Sequence, residues 1–197
     1  GGLAEDGRFR PGISRELFEH LEGELELESF DRFDDNFEEI IDVYHGLGDA
    51  RTRTRVSCNV ADMQLRREHV HKTSAWKCDF RLMDAPSEAC RLEVSTERPA
   101  VLEGVRCTRV SHVRIKERRR FVDVREGTDT WIYDLCKTWS GATLEDAQEQ
   151  RSVAPPLYEV ECEFAAPTVQ DPDALATSLL FRLSTLMGSE RVESVAR

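Results

Sequence analysis

The sequence lacks closely spaced cysteines, long apolar runs and an excess of positive charge. Its six cysteines are scattered and form no CxxC pair, so free thiols in a reducing compartment are expected and a zinc site is not. No apolar run is long enough to span a membrane. The formal net charge of −11 argues against sequence-independent binding of nucleic acid over the whole surface. It leaves room for a local basic site.

The composition is that of a soluble globular protein. The chain has 197 residues, of which 40% are hydrophobic and 33% are charged, and this suits one sizeable domain. We expect residues 1–13 to be a loose, disordered tail without a signal-peptide core, and residues 14–197 to be a single domain. A monomer is the expected state.

Hydrophobic spacing predicts a mainly β protein of the α+β class. Apolar residues at helical spacing predict helices over 14–22, 34–48 and 171–188, and a serine at position 14 could cap the first of them. The stretch "GELELES" (23–29) alternates like a strand, and six further strands are predicted at 52–60, 77–83, 90–97, 107–124, 128–139 and 157–164. Because strands and helices do not alternate, we expect a closed antiparallel barrel of eight strands with the helices outside.

The polar face of almost every predicted strand is charged, and several faces carry one sign. The first strand has Glu24, Glu26 and Glu28, and "YEVECEF" has Glu159, Glu161 and Glu163, whereas "HVRIKERRRF" presents four cations: Arg114, Lys116, Arg118 and Arg120. Like charges on a sheet face repel, and glutamate is a poor strand former. A merely solvated surface would mix the signs. If the helices cover the apolar faces, the charged faces point into the barrel.

A barrel lined with charge predicts a bound metal and a bound anion. Carboxylates gathered out of water resist ionisation unless a cation neutralises them. Oxygen ligands suit Mg²⁺, Mn²⁺ or Ca²⁺. The arginines and lysines need an anion in turn, and a polyphosphate bridged to the carboxylates through a metal would satisfy both sets.

These strands resemble those of the triphosphate tunnel metalloenzymes. "ELELE" and "EVECE" match the two metal-binding strands of that superfamily, "RIKER" matches its triphosphate-binding strand, and "WIYDL" matches the strand that carries an aspartate, here Asp134. Two ExExE strands in this order around RxKxR are fairly specific. Within the superfamily the chain looks most like the metal-dependent mRNA 5′-triphosphatases of fungi and protozoa, over residues 23–164.

The resemblance implies a phosphohydrolase that removes the γ-phosphate of triphosphate-ended pre-mRNA in the first step of capping, with Mg or Mn as cofactor. Glu24, Glu26 and Glu163 would bind the metal, and three further glutamates could contribute to the metal site: Glu161, Glu159 and Glu28. Glu161 and Asp134 would hold the attacking water. Arg114, Lys116 and Arg118 would bind the phosphates, and further substrate contacts would come from Arg53, Arg55, Lys72, Lys77, Arg91 and Arg120. A nuclear location and a capping guanylyltransferase partner are also implied.

Three alternatives remain open at this point. The metal ligands of the first strand could be Glu24 and Glu26 or Glu26 and Glu28. The enzyme could act on a small molecule such as tripolyphosphate or thiamine triphosphate, since nothing in the lining distinguishes it from an RNA end. The barrel could also be a non-catalytic module that binds a polyanion, although two carboxylate strands would repel such a ligand without a metal.

Overall fold

The computed structural model describes residues 2–3, 9–27, 32–45, 51–59, 63–82, 85–100, 110–124, 130–164 and 171–187. They form nine strands and three helices. The strands are β1 (Gly2–Leu3), β2 (Phe9–Arg10), β3 (Arg32–His45), β4 (Arg51–Asn59), β5 (Leu65–Leu82), β6 (Ala85–Pro99), β7 (Val110–Val124), β8 (Thr130–Gly141) and β9 (Leu157–Phe164). The helices are α1 (Arg15–Leu27), α2 (Leu144–Val153) and α3 (Pro172–Met187).

The seven longer strands form one curled antiparallel sheet. Their order is β6-β5-β4-β3-β7-β8-β9, and all six pairings are antiparallel. The mainly β class is confirmed, but the expected closed barrel of eight strands is not. Within the described residues the sheet is a seven-stranded half-barrel whose two edges, β6 and β9, are not paired to each other.

The prediction of a strand over 23–29 is wrong. Residues 23–27 continue helix α1, which begins after Ser14, whose hydroxyl accepts a hydrogen bond from the Leu17 amide at 3.1 Å. Leucine and glutamate are both strong helix formers. Phe18, Leu21 and Leu25 are buried at helical spacing and place one apolar stripe on the sheet. The alternation of Glu and Leu therefore suggested a strand where the chain forms a helix. Glu28 lies outside the described residues.

The prediction of a helix over 34–48 is also wrong, because this segment contains β3. Glu38–His45 pair with β4 on one side and with β7 on the other. Alternate residues of this strand face opposite sides of the sheet: Ile41 and Val43 pack against the cluster of Val113, Ile115 and Ala147, whereas Asp42 lies on the other face. Its β-branched residues Ile40, Ile41 and Val43 also favour a strand.

The predicted strands at 52–60, 90–97, 107–124, 128–139 and 157–164 and the last helix are confirmed within about five residues, whereas β5 begins at Leu65, well before the predicted strand at 77–83. One face of the sheet, the outer face, packs on the helices as expected. Phe18, Leu21 and Leu25 of α1 join a core of strand residues formed by Phe121, Trp131, Tyr133 and Leu135. Leu175 and Leu179 of α3 pack against the same cluster. The helices therefore cover the outer face of β7, β8 and β9 and leave the opposite, inner face to the charged residues.

Helix α2 was not predicted from the sequence. Thr143 accepts a hydrogen bond from the Asp146 amide at 3.1 Å, and Asp146 accepts one from the Thr143 amide at 3.0 Å. This reciprocal capping box satisfies two amides of the first turn. Ala147 packs on Val113 and Ile115. The signal in the sequence is the "TLED" stretch, a threonine with an acid three residues later.

Within residues 1–13, Gly2–Leu3 pair with Phe9–Arg10, and the Ile13 amide donates to the Tyr158 carbonyl at 2.9 Å. The division of the chain at residue 13 stays a prediction. The five described cysteines are free thiols, as expected. No described helix combines the length and the apolar character needed to cross a membrane.

The helical assignment of residues 23–27 is testable through Gly23. A Cβ added there meets no atom within 4 Å. Because glycine in a helix interior costs about 0.5–1 kcal/mol relative to alanine, Gly23→Ala should raise the free energy of unfolding by about that amount in urea titration.

The control is Gly141→Ala, where a Cβ would lie 2.6 Å from the Ala147 amide nitrogen and should destabilise by about 1–3 kcal/mol. A Gly23→Val protein more stable than Gly23→Ala would contradict the helix, because alanine is favoured over valine in helices and valine over alanine in strands.

Candidate functional site

The inner face of the sheet carries charged residues on every long strand. Strand β7 contributes Arg114, Lys116, Arg118 and Arg120. The register places the neighbouring inner residues beside them: Glu38 and Asp42 of β3, Arg53 and Arg55 of β4, Lys72 and Lys77 of β5, Arg91 of β6, Asp134 of β8, and Glu159, Glu161 and Glu163 of β9. The structure thus gathers the predicted basic residues and the second glutamate set on one face.

The sheet curls toward this face. The pKa of Glu163 of β9 is raised by desolvation, and the charge of Lys72 of β5 opposes that rise, although four strands lie between β5 and β9. In a flat sheet the two strands would be about 24 Å apart, at about 4.8 Å per strand. The interaction therefore requires the inner face to be concave, with β5 facing β9 across it.

Asp42 is the most completely enclosed acid of this concavity, with no solvent-exposed surface. Arg55 donates to both of its carboxylate oxygens, at 2.8 and 3.0 Å. The Arg53 Nε and the Lys116 Nζ lie 3.7 and 3.8 Å from it. Burial alone would raise the pKa of Asp42, but the hydrogen bonds and charge of Arg55, with Lys116 and Arg53, hold the pKa below its ordinary value.

Asp134 is shared by two arginines of β7. Arg120 donates to its two oxygens at 2.7 and 2.6 Å, and Arg118 donates at 3.2 Å. Arg118 also donates to Glu38 of β3, at 3.1 Å from Nε. Asp134, which the resemblance assigns to the attacking water, therefore orients two guanidinium groups in this structure.

Arg114 and Glu159 form a third ion pair on this face. The Arg114 guanidinium donates to Glu159, and the Thr138 hydroxyl donates to the same oxygen at 2.8 Å. Glu159 is buried, so its charge is compensated within the wall by one cation and one hydroxyl. This pairing distinguishes Glu159 from the next two glutamates of β9.

Glu161 and Glu163 have no hydrogen bond or ion pair with another described residue. Each has an accessible side chain on the inner face. The surrounding protein raises the pKa of Glu163 by desolvation, and the like charges of Glu161 and Asp134 raise it further, while Arg120 and Lys72 oppose them. Two adjacent carboxylates that repel each other in a concave wall would gain from a cation between them.

The structure does not bring Glu24 and Glu26 into this concavity. Both are exposed on α1, and Glu26 accepts a hydrogen bond from Arg119. Arg119 alternates with Arg118 and Arg120 and so points to the outer face. The two glutamates thus lie on the opposite side of the sheet from Glu161 and Glu163.

Two of the predicted substrate contacts lie toward the edge of the sheet. Arg91 of β6 donates to both oxygens of Asp79, at 2.7 and 2.9 Å, and Lys77 lies 3.8 Å from Glu93. All four side chains reach solvent. Their role in binding substrate stays a prediction.

Sequence reasoning missed Glu38 and Asp42, because their segment was predicted to be a helix. The sequence contains one signal for them: Glu38 and Asp42 are four residues apart. Side chains alternate between the two faces of a strand, so an even spacing places both acids on the same face. The helical spacing of Phe37, Ile40, Ile41 and Tyr44 obscured it.

Among the described residues, no three acidic, histidine or cysteine side chains lie close enough together to form a metal site. Two adjacent glutamates of β9 nevertheless fit a metal site. Among the residues that the structure describes, neither Glu161 nor Glu163 forms an ion pair within 4 Å, so both offer hard oxygen ligands next to a wall of arginines that can bind phosphate.

Comparison with known proteins identifies the fold. No family model and no curated protein sequence matches the chain. The Mimivirus capping enzyme triphosphatase superposes with a TM-score of 0.57 at 15% identity, covering 90% of this chain and 87% of that one. The S. pombe Pct1 RNA triphosphatase, solved in complex with the Spt5 CTD, gives a TM-score of 0.51 at 20% identity, covering 83% of this chain and 61% of that one. The chain shares the fold of these RNA triphosphatase domains.

The low pKa of Asp42 predicts a pH-dependent contribution to stability. Because the folded pKa lies below the ordinary value of 3.8, the ion pairs stabilise the protein above that pH and lose their effect as the pH falls through the folded pKa. Asp42→Asn should lower the free energy of unfolding at pH 7 by about 3–5 kcal/mol, since it leaves buried cations uncompensated.

Urea titration at several pH values measures this effect. The difference between wild type and Asp42→Asn should stay constant from about pH 7 to about pH 5 and shrink below about pH 4. Asp79→Asn removes a solvent-exposed pair of the same geometry and should cost about 0–1 kcal/mol. A difference for Asp42→Asn that grows in acid would contradict the assignment.

Proposed function

We propose that this protein is an RNA 5′-triphosphatase that hydrolyses the γ-phosphate of triphosphate-ended RNA in the first step of mRNA capping. One observation carries the proposal. A concave sheet with the fold of capping-enzyme triphosphatases lines one face with a basic strand and two unpaired glutamates, the two kinds of group that a metal-bound triphosphate requires.

The basic strand would bind the phosphates. A guanidinium has five N–H donors in a planar fork, so Arg118 and Arg120 retain donors after pairing with Asp134. Lys116 is held near Asp42 and adds a point charge. These cations, with Arg114, would contact the γ- and β-phosphate oxygens and offset the charge that develops during transfer.

Glu161 and Glu163 would hold Mg or Mn as the cofactor, and the bound cation would supply charge neutralisation at the γ-phosphate. Glu163 would contribute a carboxylate oxygen as a ligand of the cation. Glu161 would also orient a water molecule and accept its proton as the water oxygen bonds to the γ-phosphorus. The bond from that phosphorus to the β-phosphate oxygen breaks. The products are inorganic phosphate and an RNA with a 5′-diphosphate end.

Such an end is the substrate for guanylylation, so a capping guanylyltransferase as partner and a nuclear location follow as further parts of the proposal. The fold neighbour Pct1 was solved in complex with the Spt5 CTD, so a protein of this fold can bind a partner of that kind.

The substrate is tested by phosphate release from four compounds in the presence of Mg or Mn: triphosphate-ended RNA, ATP, thiamine triphosphate and tripolyphosphate. We expect release from the RNA, and release from ATP with Mn. Activity on tripolyphosphate or thiamine triphosphate without activity on RNA would instead identify a small-molecule enzyme. Binding of polyanions without release from any compound would identify a binding module.

The location of the metal ligands is tested by paired substitutions. Glu163→Gln and Glu161→Gln should each reduce metal-dependent phosphate release by at least about 100-fold, because they remove groups used at the reacting phosphorus. Glu24→Gln changes an exposed helix residue on the outer face and should leave the rate within about twofold.

Thermal melting with and without Mn gives a readout that does not require turnover. The stabilisation by Mn should disappear in Glu163→Gln and persist in Glu24→Gln. The reverse pattern, with Glu24→Gln inactive and Glu163→Gln active, would show that the helix glutamates hold the metal and would refute this ligand set.

A further inference from the structure

The inner face is divided into two regions of opposite local charge. In the first, Asp42 is the one acid contacted by three cations, Arg53, Arg55 and Lys116. These three cations outnumber the ionised Asp42, and Glu68 of β5, which lies opposite Arg55 in the register, has an exposed side chain, so solvent weakens its charge. Arg53 also reaches Glu97, at 3.5 Å, but that glutamate is 44% exposed, and solvent weakens its effect.

In the second region carboxylates outnumber cations. Glu161 and Glu163 join Asp134 and Glu38 there, and the cations that contact this group are Arg118 and Arg120. The boundary lies between Lys116 and Arg118, which are successive inner residues of β7: Lys116 contacts Asp42, whereas Arg118 contacts Asp134 and Glu38. The two regions thus adjoin along β7 and β8.

Resting on the proposed function, we infer that Asp42 is a positioning residue for the reaction. It holds Arg53, Arg55 and Lys116 as a rigid site for the phosphates that are not transferred. With those phosphates in the positive region, the γ-phosphorus lies toward Glu161 and Glu163. The division of charge thereby orients the triphosphate along the sheet.

The contacts of Asp42 fit positioning better than general stabilisation. Its three cations come from two strands on either side of β3, two from β4 and one from β7. Arg55 is fixed by two hydrogen bonds, whereas Lys116 is held through charge at 3.8 Å. A lysine has a flexible stem and a compact charge, so without Asp42 its ammonium group loses the acceptor that defines its place.

Asp79 and Arg91 provide a matched control on the same face. Arg91 donates to Asp79 through the same two nitrogens that Arg55 uses, at 2.7 and 2.9 Å. The Asp79 side chain is 25% exposed, whereas Asp42 is fully enclosed. Asp79→Asn and Asp42→Asn therefore each remove one arginine–aspartate pair of the same geometry, and they differ in how deeply that pair is buried.

The test compares wild type, Asp42→Asn and Asp79→Asn by two measurements. Steady-state hydrolysis of triphosphate-ended RNA with Mn gives kcat and KM. Calorimetric titration with tripolyphosphate in excess EDTA gives an affinity for anions that does not depend on metal or turnover. For Asp42→Asn we expect kcat to fall by about 100-fold, the effect of small misplacement of reacting groups. Its affinity for tripolyphosphate should be equal or tighter, because a negative charge has been removed.

A merely structural role predicts a different result, in which anion affinity and kcat fall together as the folded fraction falls. That result, or a kcat for Asp42→Asn within about threefold of Asp79→Asn, would overturn the inference and leave the proposed function intact. If wild type releases phosphate from no triphosphate, the proposed function fails, and the inference fails with it.

A second variant covers the case in which Asp42→Asn does not fold. Asp42→Glu keeps the charge and moves the carboxylate by one methylene. The inference predicts a reduced kcat, again by more than about tenfold, with tripolyphosphate affinity unchanged. Wild-type kcat in a folded Asp42→Glu protein would show that the position of the carboxylate does not matter and would overturn the inference.

Discussion

Opposite charges that compensate one another out of bulk water are the constraint on which this structure depends. The inner face gathers arginine, lysine, aspartate and glutamate in a curled sheet, and an unpaired charge in such a place is strongly destabilising. Asp42 with Arg55 and Asp134 with Arg120 are bidentate pairs. Such pairs allow β3, β4, β7 and β8 to lie side by side without leaving their charges uncompensated.

The outer face explains why the charges can be confined to one side. Phe121, Trp131 and Tyr133 alternate with the charged residues along β7 and β8 and pack beneath α1. Arg182 of α3 is also buried, where it hydrogen-bonds to Asp123 and, at 3.3 Å, to the Tyr133 hydroxyl. The helices thus fix the outer side of the strands whose inner side presents Arg118, Arg120 and Asp134. Successive side chains of a strand point to opposite faces, and this alternation places the apolar residues on one face and the charged residues on the other.

Much of the site could be predicted from the sequence because β7 and β9 alternate plainly. Their charged residues have one sign and their apolar residues pack on helices, so periodicity and chemistry agree. The segments 23–27 and 38–45 were mispredicted because local pattern and tertiary context disagree there. "ELEL" alternates, but Leu25 completes a helical stripe with Phe18 and Leu21. "EEIIDVYH" has helical spacing, but it is paired on both sides. Pairing between distant segments is not encoded in any window of sequence.

Binding of a triphosphate and preference for an RNA end are two separate properties, although the resemblance implies both. In the proposed function, the charge of the inner face would account for recognition of a triphosphate, because β7 and β9 supply both signs although Glu24 and Glu26 lie on helix α1. It does not explain preference for an RNA end, because phosphates are common to RNA and to small triphosphates. That preference has to come from groups that contact the nucleoside or the following phosphates. The edge pair of β5 and β6 formed by Lys77 and Glu93 is suitably placed, since it shares the inner face and remains exposed to solvent. Selectivity would then depend on the rim of the half-barrel, and catalysis on its centre.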